Sequence, residues 1–189
     1  IGLVGSEMCI RDRSDASVYY FASSDKACVT KSIDKEEICA IGNHTIVTRE
    51  QVQMYTKFYE ITYDKTLSEK KAIAYAKERN ALYVAAMQNG YQVTDEQVKA
   101  YVEELKQNLD GIWTKEQKEK LLSGFASEDD YWAFEQKVYR IDLPIQNYVR
   151  DKENEFNRKN ESGQTWDEAF KTLKQNLVDE QQYKDSSSY

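Results

Sequence analysis

After residue 47 the chain repeats one local signal: a Thr followed three positions later by Gln or Glu, at Thr48 and Gln51, Thr66 and Glu69, Thr94 and Gln97, Thr114 and Gln117, and Thr165 and Glu168, with a weaker version at Ser127 and Asp130. In such a capping box each side chain satisfies a backbone N–H that the first helical turn leaves unpaired. Six helix starts are therefore expected. Five Gly and one Pro after residue 13 are too few for the many turns of a sandwich or barrel.

The stretches between caps carry helical stripes. Val52, Tyr55, Phe58 and Tyr59 line the first, Val98, Tyr101, Val102, Leu105 and Leu109 the third, and Trp166, Phe170, Leu173 and Leu177 the last. The second, over about residues 69–89, is apolar on more than one face and is expected to be the central, most buried helix, with Gly90 as its stop. Within it, Arg79 and Asn80 either bond exposed backbone in a groove or sit at a wet edge. A short helix covers residues 114–122. Tyr131, Phe134, Val138, Ile141, Ile145 and Val149 continue one stripe across Pro144, which should kink or break its helix. Residues 151–162 read as a charged helix end and loop, and residues 184–189 as a frayed tail. Before the first cap, two β-prone runs flank Gly42-Asn43 and predict a small hairpin with His44 beside its turn. The fold class expected is mainly α, with one domain over residues 38–183.

Residues 1–13 fit no element. Leu3 to Asp12, LVGSEMCIRD, is the translation of a transposase adapter used in shotgun sequencing, and the flanking partial codons permit Gly2 and Arg13. The segment is excluded from fold reasoning as a scar. A targeting signal is then expected to have been lost with the 5′ end of the gene. Residues 14–37 read either as a linker, a disordered arm, or as the remnant of a truncated signal or anchor. Cys28 and Cys39 lack metal-type spacing and leave pairing open.

Composition limits the chemistry. With 33 acidic and 26 basic residues the net charge is −7, which argues against a nucleic-acid partner. One His among 189 residues confines any Ser/His/Asp or Cys/His relay to His44 and excludes a His-rich metal cluster. Phosphate loops, HExxH, CxxC and GxSxG are missing from the sequence, so no catalytic residue, metal ligand or cofactor is nominated. The 14 Tyr, 6 Phe and 3 Trp are the conspicuous feature. At helical spacing most of these rings belong at a core edge, and about a third remain for a surface that holds partners while staying soluble.

Thr48-Arg49-Glu50-Gln51, Phe58-Tyr59, the run AMQNGYQVTDEQVKAYVEEL at 85–104 and FASEDDYWAFEQKVYRIDL at 125–143 resemble the N-terminal domain of SurA/PrsA-type extracytoplasmic foldases. The most specific pieces are the turn at 89–98, similar to the family's G-x-x-V-[ST]-D-x-E-V, and Ser127-Glu128 followed by Tyr131-Trp132. The resemblance spans about residues 36–150 and implies a helical, chaperone-like domain that binds unfolded or nascent secreted polypeptides, in a secreted or membrane-anchored bacterial protein. Membrane contact would come only through an anchor lost with the N-terminus. The aromatic excess and the resemblance together nominate Tyr55, Phe58, Tyr59, Tyr83, Trp132 and Tyr139 as a peptide-binding groove. The parvulin-type isomerase domain of many family members has no counterpart here, so isomerase activity is not expected. The alternatives are a relative of such an isomerase without its catalytic domain, and a surface scaffold with one dedicated partner.

Overall fold

Helices begin where the caps place them, with one shift. The computed structural model describes residues 17–20, 29–32, 37–59, 64–110, 114–122, 125–159 and 163–185, without the side chains of 17–20, 29–32, 57, 58, 109, 110, 117, 120 and 121. Among them are strands β1 (Ser17–Tyr20), β2 (Val29–Ser32), β3 (Ile38–Ile41), β4 (Ile46–Thr48) and β5 (Lys184–Asp185) and helices α1 (Arg49–Tyr59), α2 (Lys65–Gln88), α3 (Asp95–Asp110), α4 (Lys115–Leu122), α5 (Glu128–Lys159) and α6 (Trp166–Gln181). The fold is mainly helical with a small antiparallel sheet.

Reciprocal capping bonds close α1, α3 and α6. Thr48 N–H donates to Gln51 Oε1 at 3.1 Å and Gln51 N–H to Thr48 Oγ1 at 3.3 Å; Thr94 with Gln97 and Thr165 with Glu168 repeat the pattern. At Ser127 the Asp130 N–H donates to the hydroxyl, which itself donates to the Asp130 carboxylate. The shift is at α2: Asp64, not Thr66, is the N-cap, and its Oδ1 accepts from Leu67 N–H at 3.1 Å. An ionised carboxylate at this position also meets the positive end of the helix dipole, an advantage a hydroxyl lacks. The far end of α2 is a Schellman stop. Tyr91 N–H bonds Ala86 O and Gly90 N–H bonds Met87 O, with Gly90 at φ +84°, where a side chain would strain the backbone.

Helix α2 is central, as expected. Its small residues Ala72 and Ala76 are fully buried with Val52 of α1 and Ala40 and Val47 of the sheet. Leu82, Ala85 and Ala86 pack with Tyr148 of α5, flanked by Phe170, Leu173 and Leu177 of α6. A third cluster joins Val98 and Val102 of α3 to Tyr131, Trp132 and Leu143 of α5. Helix α5 therefore serves two cores along its length, and it runs through Pro144 without a break, unlike the break the sequence allows. The ring is itself buried, and packing on both sides of it offsets the missing backbone bond. Asn80 resolves as a backbone partner: 7% exposed, it donates from Nδ2 to Ile46 O at 2.7 Å and so ties α2 to β4.

The predicted hairpin is β3–β4, with Ile41 opposite Ile46, Ala40 opposite Val47 and a bulge at Cys39. Its turn closes by Gly42 N–H to Thr45 O at 2.7 Å, with His44 exposed. The expectation of a frayed end from Lys184 needs correction for two residues. Lys184 and Asp185 form β5, which pairs antiparallel with Ile41 and Ala40 to give the order β4-β3-β5. Residues 186–189 lie outside the described ones. A two-residue strand carries no periodic signal, and its place follows from where α6 delivers it. Within the stretch read as a linker or signal remnant, β1 pairs antiparallel with β2; the adapter-like residues 1–13 and Cys28 fall outside the described residues. Among those described, no helix is long and apolar enough to cross a membrane.

Candidate functional site

Tyr55 and Tyr59 are one helical turn apart and therefore share a face of α1. Both pack beside the cluster formed by Val52, Ala72 and Ala76, where the two alanines let α1 approach α2 closely. Tyr75 of α2 meets them there. Its ring centroid lies 4.8 Å from Tyr55 at 85° and 6.5 Å from Tyr59 at 74°, the edge-to-face arrangement that the ring quadrupoles favour. Tyr75 remains 42% exposed, so this cluster reaches the surface.

One turn along α2, Arg79 crosses to α5. Its Nε and Nη2 both donate to Asp142 Oδ1, at 3.0 and 2.6 Å, with the Arg79 side chain only 10% exposed and Asp142 31%. Burial pushes the Tyr55 and Tyr75 hydroxyls up from their ordinary pKa, and the nearby Arg79 charge opposes the push in both. The buried Tyr55 hydroxyl makes no hydrogen bond of ordinary geometry, so what it feels from Arg79 is mainly the field of the guanidinium. Tyr139 lies on the α5 side of the pair, 4.8 Å from Tyr101 of α3. Its pKa is raised first by burial and then by its neighbours Tyr101, Glu135 and Asp142. Tyr83, half-buried, is raised by burial and drawn back by Arg140 and Arg79.

The structure thus brings Tyr55 and Tyr59 together, and relates them to Tyr139 and Tyr83 through the Arg79–Asp142 pair. Trp132 stands apart. It is 6% exposed in the α3–α5 cluster, its Nε1 donates to Glu128 Oε1 at 3.1 Å, and Lys106 sits 5.9 Å from its ring; these are the contacts of a core residue. Phe58 lies in α1 with its side chain outside the described ones. Tyr75, Arg79, Asp142 and Tyr101 were not nominated as site residues from sequence. The signal for the first two was present, since Tyr75, Arg79 and Tyr83 recur every four residues on α2.

The groups gathered here offer hydrogen bonds and apolar contact. Tyrosines raised above their ordinary pKa are neutral hydrogen-bonding groups near pH 7, and their rings supply apolar and π contact. Glu135 is raised chiefly by burial, with a Tyr131 hydrogen bond opposing, and borders the same region of α5. Among the described residues no group of three His, Cys, Asp or Glu is placed to hold a metal. Two grooves lie elsewhere: one of about 690 Å³ beside Tyr91, Asp151 and Arg158, and one of about 490 Å³ between α2 and α6 beside Ala74, Phe170 and Val178. The chain matches no protein-family model, no curated protein and no solved structure.

Proposed function

We propose that this chain is a non-catalytic, chaperone-like module of an extracytoplasmic bacterial protein, related to SurA/PrsA-type foldases, which holds unfolded or nascent secreted polypeptides at the tyrosine face formed by Tyr55, Tyr59 and Tyr75 and bordered by Arg79, Asp142 and Tyr139. The observation that carries the reading is the exposure of Tyr75 on that face. The exposed large hydrophobics among the described residues, Met54, Leu67 and Tyr75, all lie on α1 and α2, and Tyr75 is held edge-on by two further tyrosines. Rings fixed by neighbours lose little entropy on binding. The partly exposed Asp142 carboxylate keeps the border of the face wettable, which suits reversible contact with varied apolar segments.

The test is suppression of aggregation of a chemically denatured client by the full chain, compared with Tyr59→Ser/Tyr75→Ser. The wild type should suppress at equimolar ratio, and the double variant should require about tenfold more protein, since losing roughly 1.4 kcal/mol of contact is tenfold in affinity. A folded wild type that suppresses nothing, or a double variant that holds clients as well as the wild type, would overturn the proposal.

A further inference from the structure

The two edges of the β3–β4 hairpin are bonded differently. On β4, Ile46 O accepts from Asn80 Nδ2 and Thr48 N–H donates to Gln51, so side chains of α1 and α2 bond groups of this strand. Among the described residues the other edge, on β3, pairs with β5 at Lys184 and Asp185, both exposed. The segment seated there is held by side chains more than by its ladder. The Tyr183 ring covers Gly42 so closely that a Cβ on Gly42 would lie 2.8 Å from it. Its hydroxyl donates to Lys77 O at 3.1 Å. The Lys77 ammonium lies 5.6 Å from the same ring and 2.7 Å from Asp185 Oδ1. Lys77 is 19% exposed and Asp185 59%, so the cation belongs to the fold and the carboxylate sits at the surface.

We propose that the β3 edge, Gly42 and Lys77 form a recognition site for an extended segment bearing an aromatic residue and, two positions later, an acidic one, and that residues 183–185 occupy this site in cis. The spacing follows from strand geometry. Positions two apart point to the same face, so the ring that covers Gly42 and the carboxylate that meets Lys77 belong to one side of the added strand, while main-chain bonds to β3 supply the sequence-independent part, as in other strand-addition modes. The site uses other residues than the tyrosine face, and Tyr183 packs against the same cluster of Val52, Ala72 and Ala76 as Tyr55 and Tyr59. The end of α6 is tied to the hairpin by other bonds: Asn43 N–H to Gln181 O at 2.6 Å, Asn43 Nδ2 to Glu180 O, and His44 N–H to Gln181 Oε1. All of these precede Gln182, whose left-handed φ of +49° turns the chain into the site.

The experiment uses the full chain and its variant Tyr183→Ser/Asp185→Ser, with a fluorescein-labelled hexapeptide of the sequence Gln-Tyr-Lys-Asp-Ser-Ser as probe, read by anisotropy. The variant should bind the probe at least tenfold more tightly than the wild type, whose own segment competes. Adding Lys77→Gln to the variant, or replacing the probe's Asp by Lys, should each remove at least fivefold. Equal affinity for wild type and variant, or no binding to a variant with wild-type circular dichroism, would overturn the proposal. Should the variant lose its helical signal, amide exchange in the wild type decides: millimolar unlabelled probe should speed exchange at Lys184 and Asp185, and unchanged exchange there would equally overturn it.

Discussion

Gly42→Ala should destabilise the protein, chiefly through its contact with Tyr183. Gly42 is not among the glycines of positive φ, so an alanine fits its backbone conformation and would by itself stabilise by about 0.4–1 kcal/mol through the unfolded chain. The added methyl, however, would lie 2.8 Å from Cε1 and 3.1 Å from Cδ1 of Tyr183 and 3.1 Å from Thr45 O. Carbon atoms rest at about 3.5–4.0 Å, so the ring must retreat by roughly 0.7 Å or more. It cannot slide freely, because its hydroxyl is bonded to Lys77 O. Overpacking of this kind costs about 1–3 kcal/mol, and loss of the hydroxyl bond adds about 1 kcal/mol. Against the backbone gain, the net expectation is destabilisation by about 1–3.5 kcal/mol. Urea denaturation followed by circular dichroism measures it as a lower midpoint at unchanged slope. The decisive comparison is Gly42→Ala in a Tyr183→Ala background, where the ring clash is gone and only the approach to Thr45 O remains, so the substitution should cost far less there, giving a coupling energy of roughly 2–4 kcal/mol. A Gly42→Ala protein as stable as the wild type would show that Tyr183 does not rest on Gly42.

Asp142→Ala leaves the nearly buried Arg79 guanidinium without its partner and should cost about 2–3 kcal/mol, somewhat below the range for fully buried pairs; a loss under about 0.5 kcal/mol in the same urea assay would contradict the role given to the pair. Glu135 is raised above its ordinary 4.5 by burial, so its contribution to stability is fully present below about pH 4.5 and is lost as pH rises through its folded pKa. Glu135→Gln should accordingly stabilise at about pH 7 more than at about pH 4, and a pH-independent effect would refute the assignment. Trp132→Ala removes a core ring and should lower stability by about 3–5 kcal/mol, and the proposed client holding should fall only as the unfolded fraction rises; intact stability with selective loss of holding would return Trp132 to the proposed binding face.

The local elements were legible because their signals are local. Thr48, Thr94 and Thr165 start helices with partners three residues away, Gly90 ends α2 through bonds within one turn, and the Gly42-Asn43 turn folds two adjacent β-prone runs together; none of these depends on where the rest of the chain goes. The start of α2 moved to Asp64 because two capping residues compete within three positions and only the folded geometry chooses between them. Helix α5 continued through Pro144 because packing on both halves outweighs a backbone defect that a stripe of apolar residues cannot weigh.

The aromatic residues show the same division more sharply. Composition and spacing identified an excess of tyrosine on helical faces, but the periodicity of Trp132 and that of Tyr55 look alike, and burial separated them: one ring is closed between α3 and α5, the other stands beside an exposed Tyr75. Arg79 and Asp142 are 63 positions apart, and nothing in either's neighbourhood announces the other. The same holds for Tyr183, Gly42 and Lys77. Sequence alone determined the helical class, the boundaries set by caps and the small hairpin, since these follow from hydrogen-bonding needs within a few residues; tertiary structure alone decided which rings face solvent, which charges pair and where residues 183–185 add to the sheet, since each depends on surfaces that meet only after the helices have packed.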